Sequence, residues 1–189
     1  MRIIAGRYRG HLLQPIRDVR VRPVTDRVKG SIFNSLQNRL NLIDARVLDL
    51  FAGTGSLGFE ALSRGAAEVQ FVDDDQDILD VLKFNAQKLG CLDECRIMRG
   101  NALQFLENMN DEFNLIFADP PYAYEDTSIL PRLIFQRKLI RRDGFLIIEH
   151  SKQTMFEESN LYKIVHRKSF GNTIVSFFGY PENREEQSQ

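Results

Sequence analysis

The residues best suited to chemistry are Asp119-Pro120-Pro121-Tyr122. They follow Phe113-Asn114-Leu115-Ile116-Phe117-Ala118, an apolar run short enough for a buried strand. Proline has no N–H for a sheet ladder, so the strand expected over Phe113–Asp119 must stop there. A residue before proline is driven toward extended geometry, and the result is a stiff corner carrying a carboxylate, carbonyls in need of donors and an aromatic ring. Those groups suit a flat base with an exocyclic amine. The carboxylate and a carbonyl accept its two hydrogens while the ring stacks on its face. Alone, the same residues also read as a plain proline-rich strand exit.

A second constellation is Asp49-Leu50-Phe51-Ala52-Gly53-Thr54-Gly55-Ser56-Leu57-Gly58. It closes one apolar run and opens a helical pattern, and its glycines allow a tight turn with close backbone approach to a ligand. Asp73 ends the next expected strand, twenty residues after Gly53, where a carboxylate can accept hydrogen bonds from both hydroxyls of a ribose; Asp74 follows it. The spacing therefore indicates an adenosine-type cofactor, and it also satisfies the dinucleotide fingerprint. Three features argue against NAD. Asp49 at the loop mouth would repel a pyrophosphate but pair with an ammonium; no second domain exists to hold a hydride-transfer substrate; and the chain ends in a hairpin signal rather than a second mononucleotide half. S-adenosylmethionine, with its ribose and its ammonium, fits Asp73 and Asp49 together. Asn101-Ala102, after the third strand, can meet the adenine edge, with Asn101 equally readable as a helix N-cap.

These residues need a frame. From Arg46 the pattern alternates strand, turn and helix. Strands are expected at Arg46–Phe51, Glu68–Asp73, Cys95–Arg99, Phe113–Asp119 and Phe145–His150, with helices at Leu57–Arg64, Gln76–Leu89, Ala102–Asn108 and Ser128–Lys138. Such alternation implies a parallel sheet covered on both faces. Leu161–Phe170 and Thr173–Tyr180, joined by Gly171-Asn172, add an antiparallel pair at the end. Ahead of the core, Met1–Leu13 fits a short exposed hairpin around Gly6 and Gly10. Gln14–Arg22 reads as a loop. A helix capped by Thr25 or Asp26 then carries the stripe Val28, Ile32, Leu36 and Leu40. The expected organisation is one domain over 1–189: a basic extension over 1–40, a catalytic core over 46–180 and a polar tail over 181–189, read as disordered.

Apolar residues make up 43% and charged residues 27% of the chain, an ordinary globular composition. The net charge of −1 hides an asymmetry: residues 1–30 hold eight basic groups against Asp18 and Asp26, so a +6 arm sits on a −7 body. Such an arm suits a polyanion. Cys91 and Cys95 have no neighbouring His and read as reduced thiols rather than a metal site or disulfide. No apolar run approaches 18 residues and no signal-peptide core is present, so a soluble cytoplasmic protein without a membrane partner is expected.

Asp49-Leu-Phe-Ala-Gly-Thr-Gly, the acidic run after Val72 and Asp119-Pro-Pro-Tyr together resemble class I methyltransferases that modify exocyclic amines. Arg22-Pro-Val-Thr-Asp-Arg-Val-Lys29 followed by Phe33-Asn34 narrows the resemblance to the RsmD family of bacterial 16S rRNA (guanine-N2)-methyltransferases, across Arg2 to about Tyr180. The resemblance implies a Rossmann-like α/β fold with a seven-stranded, mostly parallel sheet and an antiparallel C-terminal hairpin. It also implies S-adenosylmethionine as cofactor, S-adenosylhomocysteine as product, and 16S rRNA of the small ribosomal subunit as partner. Gly30 departs from the family, where a larger and often acidic helix former is expected.

On this reading Asp119 and the Pro120 carbonyl accept the amine's hydrogens, Pro121 stiffens the corner and Tyr122 stacks on an unpaired or flipped guanine. Arg7, Arg9, Arg20, Arg22, Arg27 and Lys29 are the candidate phosphate contacts, and Arg22 and Thr25 could serve the cofactor instead. Arg137-Lys138 and Arg141-Arg142 read as a solvated helix end. The rival readings are an adenine-N6 nucleic-acid or protein glutamine methyltransferase, and a non-catalytic RNA-binding protein that has kept the pocket.

Overall fold

In a computed structural model, which describes residues 1–15 and 25–181, the alternating pattern builds one seven-stranded sheet. Its strands are β1 (Arg46–Leu50), β2 (Glu68–Asp73), β3 (Cys95–Arg99), β4 (Phe113–Ala118), β5 (Ile140–Ser151), β6 (Lys163–Phe170) and β7 (Thr173–Gly179). They lie in the order β3-β2-β1-β4-β5-β7-β6. The first five are parallel, and β7 runs antiparallel to both β5 and β6. The helices are α1 (Asp26–Leu36), α2 (Ser56–Ser63), α3 (Gln76–Leu89), α4 (Ala102–Asn108) and α5 (Leu130–Gln136).

The inner parallel strands β1, β2 and β4 are covered on both faces and buried almost throughout, whereas the edge strand β3 alternates half-buried and exposed residues. Two cores result. One packs α1, α2 and α3 through Ile32, Phe33, Phe59, Phe71 and Leu82, and the other packs α4 and α5 through Leu106, Ile116, Ile134 and Phe135. Residues 1–15 and 25–30 are anchored to this body rather than hung from it. Thr25 caps α1, its hydroxyl accepting the Val28 N–H at 3.3 Å.

Three expectations need correction. Met1–Leu13 does pair as a hairpin, Arg2 bridging Leu12, the Ile3 N–H donating to the His11 carbonyl at 2.9 Å and the Leu13 N–H to the Met1 carbonyl at 3.1 Å, but it is not exposed throughout, because Ile3 and Leu13 are buried. The segment is a strap along α2. There Glu60 accepts the Ile4 and Ala5 N–H groups at 2.7 and 3.1 Å, Ser63 Oγ accepts the Tyr8 N–H, and the Ser63 carbonyl accepts the Arg7 N–H. Gly6, at φ 81°, lies so close that a Cβ there would sit 1.7 Å from the Ser63 carbonyl oxygen. Second, β5 starts at Ile140 rather than Phe145, with a register shift between Phe113 and Leu115 on its partner β4. Arg141 and Arg142 therefore lie on a strand instead of a solvated helix end. Third, α5 begins at Leu130, after a 3-10 turn over Glu125–Ile129, because Pro131 fits the first helical turn and not a helix interior. The expected 181–189 tail falls outside the described residues beyond Pro181.

Candidate active site

Strand order reverses between β1 and β4, and in open α/β sheets a ligand crevice lies there, beyond the carboxyl ends of the strands. Register brings the ends into line, Leu50 opposite both Val72 and Ala118, and Ala118 opposite Ile148. The next residue of each segment therefore enters the same cavity, of about 630 Å³.

Phe51, Ala52, Gly53 and Thr54 form one wall, Asp73 and Asp74 a second, Asn101 and Ala102 a third, and Asp119, Pro120, Pro121 and Tyr122 a fourth, with Asp49 at the base. Gly55 does not line the cavity. It is the N-cap of α2 at φ 77°, where a Cβ would meet the Phe59 and Leu82 side chains at 2.5 and 2.7 Å. The loop is held open by unusual backbone, since Phe51 also has a positive φ, 56°. Such a conformation costs a side-chain-bearing residue about 1–2 kcal/mol. Its ring packs edge-on against Tyr124, centroids 4.8 Å apart.

The two carboxylates are held by backbone amides. Asp73 accepts the Gly53 N–H at 3.0 Å and the Asp75 N–H at 3.3 Å, which aims it across the loop. Burial raises its pKa, opposed by the Gly53 amide. Asp49 is 2% exposed and accepts the Gly58 N–H at 2.9 Å, doing at the third residue of α2 what the side-chain-less Gly55 cannot. Burial dominates, and its pKa is pushed up to about 8. A cationic ligand group in the cavity would favour its ionised form.

Asn101 is the N-cap of α4, its Oδ1 accepting the Leu103 and Gln104 N–H groups at 3.0 and 3.3 Å, so its carbonyl is committed to the helix. At the Asp-Pro-Pro-Tyr corner, Pro120 is buried while Tyr122 is 52% exposed. The Tyr124 N–H donates to the Pro121 carbonyl at 2.8 Å and closes the turn.

Sequence reasoning missed Tyr124, Glu149, Met1 and Ile78, which also line the cavity. Tyr124 lies two residues past the motif, and its buried hydroxyl has no hydrogen-bond partner among the described residues. Glu149 carried a readable signal, a carboxylate near the carboxyl end of an expected parallel strand. Met1 carried none, because the strap that delivers it is a tertiary feature.

The basic set divides. Arg9 and Arg27 are exposed. Arg7 pairs with Glu94 and lies 4.6 Å over the Tyr8 ring, so its charge is partly engaged within the protein. Arg20 and Arg22 lie outside the described residues. Lys29 is corrected: it is fully buried, donates to the Arg2 carbonyl at 2.8 Å and Ser56 Oγ at 3.0 Å, and sits 3.6 Å from Glu60. A stripe position one turn before Ile32 and Phe33 carries it inward, where it meets α2 and not a phosphate.

The family model described as conserved hypothetical protein 95 matches residues 1–179. A Bacillus subtilis protein named "Putative rRNA methyltransferase YlbH" is 35% identical over 182 residues, covering 94% of this chain and 98% of its own. The ribosomal RNA small subunit methyltransferase D of Haemophilus influenzae is 33% identical over 180 residues, with 94% and 91% covered. A solved Escherichia coli structure titled "Putative methyltransferase yhhF" superposes with a TM-score of 0.83 at 28% identity, over 96% of this chain and 99% of that one. With the sheet order, the glycine loop and the Asp-Pro-Pro-Tyr corner already in place, these matches decide the lineage: the chain belongs to the conserved hypothetical protein 95 family, the RsmD family, and has the class I methyltransferase fold.

Proposed function

We propose that the protein methylates the exocyclic N2 amine of a guanine in 16S rRNA of the small ribosomal subunit, with S-adenosylmethionine as donor and S-adenosylhomocysteine as product. The observation that carries this reading is that Asp119-Pro120-Pro121-Tyr122 and the two buried carboxylates, Asp49 and Asp73, line one cavity. The rRNA methyltransferases to which the chain is similar support the substrate class.

The residues present fit the cofactor. Asp73 keeps lone pairs for ribose hydroxyls, Asp49 suits an ammonium, Phe51 and Ile78 supply apolar wall, and the Tyr124 hydroxyl offers a hydrogen bond that nothing described in the protein takes. When bound, the cofactor supplies a methyl group on a positively charged sulfur.

The protein's own work is placement. An aromatic amine is a poor nucleophile because its lone pair is delocalised into the ring. Asp119 and the Pro120 carbonyl accept its two hydrogens and favour a pyramidal nitrogen, the proline pair holds both acceptors in fixed directions, and Tyr122 stacks on the base. That stacking contributes about 1–3 kcal/mol. Arg9 and Arg27 are the described side chains best exposed to meet phosphates. The protein works in the cytoplasm, where its substrate is made.

The test is incubation with labelled S-adenosylmethionine and small subunits from cells lacking the enzyme, followed by nucleoside analysis. N2-methylguanosine is expected from the wild type, and Asp119→Ala should abolish it while cofactor and RNA affinities stay near wild type. Label recovered in N6-methyladenosine or in protein would transfer the assignment to the rival readings. No label in any ribosomal substrate would leave a binding protein.

A further inference from the structure

Tyr122 presents a contradiction of exposure. Half its surface is open to solvent, as a stacking ring requires, yet its hydroxyl is hydrogen-bonded to Thr173 Oγ1, 51 residues away in sequence. We propose that Thr173 is a positioning residue for the target base: it fixes the Tyr122 ring and so makes the β6–β7 hairpin tip a working wall of the active site. The inference rests on the reading of Tyr122 as the stacking ring.

The anchor is well braced. Thr173 is the first residue of β7, 5% exposed, and lies opposite Ser151 of β5 and Phe170 of β6. Gly171, at φ 63°, closes the hairpin, and the Lys152 N–H donates to the Asn172 carbonyl at 3.3 Å. A β-branched side chain in a strand has few χ1 choices, so the hydroxyl direction is set by the sheet. The other end of the tyrosine is equally constrained, by the proline pair before it and the Tyr124-to-Pro121 turn after it. With both the Cα and the hydroxyl held, χ1 and χ2 have little freedom left. The ring stands as a plate at a fixed tilt before any base arrives, and the entropy of ordering it is not subtracted from stacking.

Methyl transfer to small subunits, cofactor affinity and melting temperature are measured for Thr173→Val, Thr173→Ser, Tyr122→Phe and the Val/Phe double variant. Thr173→Val and Tyr122→Phe should each lower kcat/KM for the RNA substrate by about three- to tenfold, the range one net hydrogen bond supports, with cofactor affinity unchanged. The double variant should lose no more than either single one, because both delete the same bond. Thr173→Ser keeps the hydroxyl and should restore most of the activity. Should the valine variant fold poorly, Tyr122→Phe, altered on an exposed ring, reads the same bond alone. Wild-type kcat/KM in Tyr122→Phe, or additive losses in the double variant, would overturn the proposal. A wild-type level of transfer by Asp119→Ala would instead overturn the reading beneath it.

Discussion

Replacing Lys29 by methionine separates a buried latch from a phosphate contact. The ammonium has no exposed surface and three partners: the Arg2 carbonyl of the strap, Ser56 at the start of α2, and Glu60. Burial lowers its pKa and Glu60 works against that shift. Losing one member of a buried pair costs about 3–5 kcal/mol when the partner is stranded. Glu60 would not be stranded, because it also receives Arg64 Nε at 2.8 Å and the Ile4 and Ala5 amides. What is lost is two hydrogen bonds from a charged donor, about 1.5–3 kcal/mol each, partly offset by the lysine no longer needing to be desolvated. A net loss of about 2–4 kcal/mol follows, which for a chain of this length lowers Tm by roughly 5–15 °C. Thermal unfolding reads it. The companion measurement is the dependence of RNA affinity on salt. A buried lysine neutralises no phosphate, so Lys29→Met should keep the wild-type slope, whereas Arg27→Ala should flatten it by about one phosphate's worth. An unchanged Tm together with a flattened slope in Lys29→Met would refute the reasoning and return Lys29 to the RNA surface.

Three further outcomes follow from the same physics. Gly30 lies inside α1 with no positive φ, and a Cβ there would meet only Ile4 Cδ1, at 3.8 Å. Gly30→Ala should therefore raise stability by about 0.5–1 kcal/mol in denaturant unfolding, and a fall would mean the helix needs the glycine. Asp49, pushed up to about 8, holds its proton in the ligand-free protein across a range where the unfolded chain has lost it. That contribution to stability is complete below the unfolded value near pH 4 and is lost as pH rises through about 8, so Asp49→Asn should flatten the decline between those limits. Cofactor binding at pH 7 should release a proton, measured by calorimetry in two buffers of different ionisation enthalpy, and Asp49→Asn should abolish the release. Zero release by the wild type would place the ammonium away from Asp49.

Legibility differed between the elements. Alternating apolar runs and glycine turns are local, so β1 to β4 and α2 to α4 lie within a residue or two of where periodicity put them, and Gly171-Asn172 marked the hairpin. The start of β5 was hidden, because Arg141-Arg142-Asp143-Gly144 has no strand pattern and lies at an irregularity between two pairs with β4, Ile140 opposite Phe113 and Phe145 opposite Leu115. Lys29 shows the same limit from the other side. A lysine in a basic stretch reads as surface charge, and its burial is decided by Glu60, which is distant in sequence and turned toward it by the packing of α2.

The chain's own order of residue types determined the fold class, the glycine loop, the carboxylates Asp49 and Asp73 beside that loop, and the proline-stiffened corner, since each is a property of neighbours along the backbone. Only the folded molecule decided that the strap packs on α2 and brings Met1 to the cavity, that Lys29 is a latch, and that Thr173 holds Tyr122. Those depend on which surfaces the sheet brings within 3 or 4 Å of each other, and a one-dimensional pattern carries no distance between residues half a hundred positions apart.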